Sequence, residues 1–149
     1  MKILLDSNIL VYAFDKLSSN HEQARKIVEK AICGEIEACI SAQVLYEFFA
    51  VITNPKKATV PMDLDEAADL CSELWECSEI EKISSTELVP SEVFRVAKEK
   101  KLSGAGIFDC VLAVTAKENG IDTVYTENVR DFKHYGFIKV INPLTTKQL

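Results

Sequence analysis

Only two histidines, His21 and His134, occur in the 149 residues, and the five cysteines include no C-x-x-C pair. Zinc ligation at the usual Cys and His spacings is therefore unsupported. The odd cysteine set (Cys33, Cys39, Cys71, Cys77 and Cys110) lies mostly within apolar segments, which suits reduced core thiols better than a disulfide framework. No apolar run reaches the length needed to cross a bilayer, so no membrane contact is expected. The first strand candidate begins at Lys2 and leaves no room for a cleaved leader, so the expected location is the cytoplasm. Positive charge is also short. Seventeen Lys and Arg face 23 Asp and Glu, giving a net charge of −6 and a pI near 5.0. That balance argues against a generic electrostatic nucleic-acid binder, but it leaves open chemistry that clusters carboxylates around a hard cation. With no repeat, low-complexity tract or linker, and 48% hydrophobic residues, 1–149 reads as one domain with a real core.

What is present alternates strand and helix signals. Ile3, Leu4 and Leu5 form a continuous apolar run, as in a strand buried on both faces of a parallel sheet. Asp6-Ser7-Asn8 follows directly, before a helix through Phe14, so a carboxylate stands at the carboxyl end of a central strand, where open α/β sheets bind ligands. Capping of that helix by Asp6, Ser7 or Asn8 is the plainer explanation of the same residues. Ser19 with Glu22 reads as a capping box opening a helix that Gly34 closes. Glu37–Ile40 is a strand candidate, and Ser41 caps a helix with Val44, Leu45, Phe48, Val51 and Ile52 on one apolar arc. At about 100° per residue, Glu47 falls roughly 40° outside that arc and borders the buried face.

Asn54-Pro55 ends this helix, and Asp63 with Glu66 caps a third whose Cys71, Leu74 and Trp75 read as core. A strand is expected over Glu81–Glu87, then a helix from Pro90 to about Lys101. After the turn Gly104-Ala105-Gly106, the segment Ile107–Ala116 is apolar nearly all round and should be a buried helix. Asp109 sits in its first turn, where a buried carboxylate needs a helix dipole, a hydrogen-bond partner or a cation. Asp122–Thr126 and Ile138–Ile141 complete the strands, and Asn128 and Asp131 follow the first of these. The alternation predicts an α/β layered sandwich with a mainly parallel sheet.

Asp6, Glu47, Asp109, Asn128 and Asp131 can thus meet at one sheet edge. Carboxylates converging without a basic partner repel unless a divalent cation joins them. Four segments in this order carry a resemblance: Leu5-Asp6-Ser7-Asn8-Ile9-Leu10, Ser41-Ala42-Gln43-Val44-Leu45-Tyr46-Glu47, Phe108-Asp109-Cys110-Val111-Leu112-Ala113, and Thr126-Glu127-Asn128 running into Asp131-Phe132. With Val140-Ile141-Asn142-Pro143 at the end, the whole chain resembles a PIN domain, most closely the VapC-type ribonuclease toxins. The resemblance implies a three-layer α/β/α sandwich, Mg²⁺ or Mn²⁺ dependence and endonucleolytic cleavage of RNA. It further implies a homodimer and an antitoxin protein partner. Asp6, Glu47 and Asp109 match the family's first three acidic positions and would hold the metal, with Ser7 and Thr126 as supporting polar positions. Asn128 stands where the family often has Asp. Either Asn128 as a neutral oxygen ligand or Asp131 can then fill the fourth position.

Two other readings use the same residues. A degenerate PIN domain would bind RNA or protein without cutting, a reading motivated by Asn128 and the acidic surface. Phosphatases and receiver domains also place Asp after a first strand, but position 8 is Asn and the other acids and lysine they require have no convincing match. Lys56, Lys57, Arg130 and Lys133 are the candidate RNA contacts.

Overall fold

A computed structural model describes residues 1–145; residues 146–149 of the span read as one domain lie outside them. Five short strands, β1 (Ile3–Leu5), β2 (Ala38–Ser41), β3 (Glu81–Ile83), β4 (Thr123–Tyr125) and β5 (Lys139–Ile141), form a sheet in the order β3-β2-β1-β4-β5. Every pairing is parallel. β1 is central, and its three residues are all buried, as a strand covered on both faces must be.

The helices are α1 (Ser7–Phe14), α2 (His21–Ile32), α3 (Ala42–Ile52), α4 (Leu64–Glu76), α5 (Val89–Lys100), α6 (Gly106–Glu118) and the single turn α7 (Val129–Phe132). They pack in two sets, α1 with α2 and α3 and α3 with α4, and α5 with α6 and α6 with α7. The chain builds outward from β1 to β3, then returns to β4 and builds the other way. Right-handed crossovers send the two sets to opposite faces, giving three α/β/α layers. The reversal makes the β1–β4 boundary the topological switch point, where a crevice opens at the strands' carboxyl ends. Among the described residues no helix is long and apolar enough to cross a membrane.

Several local expectations are corrected. α2 begins at His21 with Asn20 at its cap and no side-chain cap bond, so Ser19 and Glu22 form no capping box; Asn20 has helical backbone angles, and its N–H donates to Ser18 Oγ. β3 stops at Ile83 because it is a sheet edge, and the polar Ser84–Glu87 that follow have no face to bury. Trp75 is 37% exposed rather than core. Only Cys39 and Cys110 are buried thiols; Cys71 and Cys77 are half-buried, and Cys33 is exposed at the end of α2. In α6, Cys110 and residues 112–116 are buried, but its first turn projects at the mouth of the crevice and leaves Phe108 59% exposed.

Candidate functional site

β1 and β4 end side by side. The Asp6 N–H donates to Tyr125 O at 3.0 Å, carrying the ladder one bond past the strands. Asp6 is 5% exposed and Thr126, just after β4, is fully buried. Such burial demands partners, and they are present. The Asp6 Oδ1 accepts the Ser7 N–H at 2.7 Å, which also makes Asp6 the cap of α1. Its Oδ2 accepts the Thr126 hydroxyl at 2.7 Å and Asn8 Nδ2 at 3.0 Å. Thr126 Oγ1 in turn accepts Asn8 Nδ2 and the Asn128 N–H, both at 3.0 Å. Asn8 Oδ1 accepts the Glu127 N–H at 3.0 Å, so the amide has a single satisfactory orientation. Tyr12 Oη donates to Glu127 Oε2, tying α1 to the same loop. Burial and this carboxylate push the Tyr12 hydroxyl up to about 12.

Glu47 comes from α3. Ser41 caps this helix by accepting the Val44 N–H at 3.3 Å, and the apolar arc then turns Glu47 to the edge of the core. Its Oε2 accepts the Ser7 hydroxyl at 3.2 Å and its Oε1 accepts Gln43 Nε2 at 2.9 Å. Gln43 Nε2 also donates to Phe108 O at 3.0 Å, on the residue before Asp109. Asp109 is half-buried in the first turn of α6. Burial pushes its carboxyl up to about 6, and the charges of Asp131, Asp6 and Glu47 push the same way, in that order. Burial also raises Asp6, against its three donors and with the help of Glu47. Four carboxylates from four segments therefore share one electrostatic neighbourhood.

None of the ion pairs among the described residues includes Asp6, Glu47, Asp109 or Asp131. Asp131 is exposed on α7, with its N–H on Asn128 O. Asn128 is exposed too and enters the network through its backbone N–H. The charge felt at Asp109 from this segment is that of Asp131.

The donors are hard oxygens with unbalanced negative charge, a set that suits hard divalent cations such as Mg²⁺ or Mn²⁺. No three Asp, Glu, His or Cys side chains among the described residues converge as a ligand cage. Asp6, Glu47 and Asp109 are neighbours without forming one closed shell. One or two direct carboxylates, with water completing the shell, is the usual way magnesium is held, so the donor set fits.

The basic candidates separate. Arg130 and Lys133 lie on and just after α7, flanking Asp131. Lys57 instead lines a cavity of about 410 Å³ with Phe14, Leu17, Ile52 and Val60, at the carboxyl ends of α1 and α3 and away from Asp6. Sequence reasoning passed over two residues. Asn8 was legible only as a cap. Gln43 precedes Glu47 by one helical turn, a spacing at which side chains meet, and that was its only signal.

The PIN domain family pattern matches residues 3–138. Ribonuclease VapC24 of Mycobacterium tuberculosis is 28% identical over 142 residues, covering 95% of this chain and 97% of that protein. The crystal structure of M. tuberculosis VapC20, described as a sarcin-ricin loop cleaving toxin, superposes with a TM-score of 0.67 at 14% identity, covering 93% of this chain and 98% of that one. A toxin–antitoxin complex from Klebsiella pneumoniae superposes at 0.61 with 18% identity, covering 95% and 97%. At these identities the two structures establish likeness of fold.

Proposed function

The chain belongs to the PIN domain family, and from that premise we propose that it is a divalent-metal-dependent endoribonuclease, the toxin of a toxin–antitoxin pair. The observation that carries this reading is the gathering of Asp6, Glu47, Asp109 and Asp131 at the sheet's switch point, where the charges of Asp131, Asp6 and Glu47 raise the cost of ionising Asp109 and no described basic side chain pairs with any of the four. The ribonuclease name of the 28% identical relative supports the same activity. Asp6, Glu47 and Asp109 would hold Mg²⁺ or Mn²⁺, which when bound neutralises a phosphodiester and acidifies a water.

The chain's own residues supply orientation. Ser7, Asn8 and Thr126 fix both oxygens of Asp6, and Ser7 and Gln43 fix those of Glu47. Asp131 fills the fourth acidic position that Asn128 leaves neutral. Its carboxylate accepts no described hydrogen bond and is the group available to orient a water. Arg130 and Lys133 beside it face the approaching phosphate backbone.

A homodimer and a bound antitoxin belong to this reading, and the Klebsiella complex supports the second. The test is cleavage of structured RNA by purified protein with Mg²⁺, Mn²⁺ or EDTA, alongside Asp6→Asn. Metal-dependent cutting that falls at least a hundredfold in the variant is expected. RNA binding without cutting under either metal would instead favour the degenerate binding module, the reading motivated by Asn128 and the acidic composition.

A further inference from the structure

Among the described residues, Gln43 is the one side chain whose amide joins the α3 carboxylate to the segment carrying the α6 carboxylate. Its Nε2 donates to Glu47 Oε1 at 2.9 Å and to Phe108 O at 3.0 Å. Both partners are acceptors only, so both amide hydrogens are used and the flipped amide would face two oxygens with a third. The turn it reaches is otherwise lightly held. α6 starts without a side-chain cap, Gly104 sits at φ +58°, and a Cβ at Gly104 or Gly106 would meet nothing within 4 Å. Ile107 and Phe108 donate only to Gly104 O and Ala105 O of the same turn. Phe108 contributes little anchoring, with 59% of its surface exposed. Within that turn Ile107 packs half-buried against the core, and the hydrogen bond from Gln43 is what ties the turn to α3.

We infer that Gln43 is a positioning residue that clamps the first turn of α6 to Glu47, setting the separation of Glu47 and Asp109 at which they share a divalent cation. This rests on the metal-dependent reading above and adds a residue to it. The bridge touches neither substrate nor the reacting atoms. It works by holding one carboxylate oxygen and one peptide carbonyl a fixed distance apart. Outer-shell partners of this kind change metal affinity by about 10–100-fold when removed.

Two substitutions separate the bond from the bulk. Gln43→Met keeps the length and loses the donor; Gln43→Asn keeps the donor but is one methylene too short to reach both acceptors. In the full chain, each is expected to weaken Mn²⁺ affinity about tenfold by calorimetry and to lower RNA cleavage at limiting Mn²⁺, with recovery at saturating Mn²⁺. Without metal, amide exchange at residues 107–110 should quicken while the unfolding midpoint stays at the wild-type value. Wild-type Mn²⁺ affinity and unchanged exchange in both variants would overturn the clamp and leave the nuclease reading standing. A wild-type protein that takes up no Mn²⁺ and cuts no RNA would overturn both.

Discussion

Asp109 carries the clearest mark of the site's purpose, because its environment works against its own ionisation. The carboxyl titrates near 3.8 in an unfolded chain and is pushed to about 6 by burial and by Asp131, Asp6 and Glu47. Between those values the folded protein binds more protons than the unfolded one. Its stability without metal should therefore fall as pH rises from about 4 to 6, then level off. Asp6 shifts in the same direction. Asp109→Asn is expected to flatten this slope and to stabilise the metal-free protein by about 1 kcal/mol at pH 7.5, less than the full shift implies because the group is half-exposed. Urea melts of both proteins at pH 4.5 and 7.5 measure it. Thr126 shows the opposite economy, a buried hydroxyl with every bond used. Thr126→Val keeps the shape but leaves Asp6 and Asn8 short of a partner. The expected loss is about 1–3 kcal/mol at pH 7.5, read from the same melts.

Elements place these side chains by simple local rules. Ser41 ends β2 and caps α3, so one residue sets where Glu47 falls on the helix. Ser41→Ala should cost about 1 kcal/mol of stability, and a thermal melt would show the lowered midpoint. The elements that form the site were legible because their patterns are strong. The unbroken Ile3–Leu5 run marks a doubly covered strand, the Val44–Ile52 arc an amphipathic helix, and Asp109 a carboxylate in an apolar setting. Less legible were the features decided by the third dimension. β3 is short because it ends the sheet, a position no residue of Glu81–Glu87 announces. Phe108 in the first turn of α6 is exposed because it stands at the crevice mouth, although it is as apolar as the buried residues that follow. Asn8 and Gln43 gain their roles from partners at positions 126–127 and 108, separations that no local pattern spans. Asp131 is named over Asn128 only by proximity to Asp109 in the folded chain.

The whole molecule combines a net charge of −6 with a switch-point crevice that concentrates negative charge further. A parallel sheet built outward from β1 in both directions brings Asp6, Glu47, Asp109 and Asp131, spread over 126 positions of the chain, to one edge. On the proposed reading a divalent cation held at that edge would offset the repulsion among its carboxylates. The most direct test is calorimetric titration of metal-free protein with Mn²⁺ at pH 7.5, repeated on Asp109→Asn. Saturable uptake by the wild type, weakened at least tenfold in the variant, is the expected result. No uptake by the wild type, or equal uptake by both, would contradict the assignment of these carboxylates to a metal.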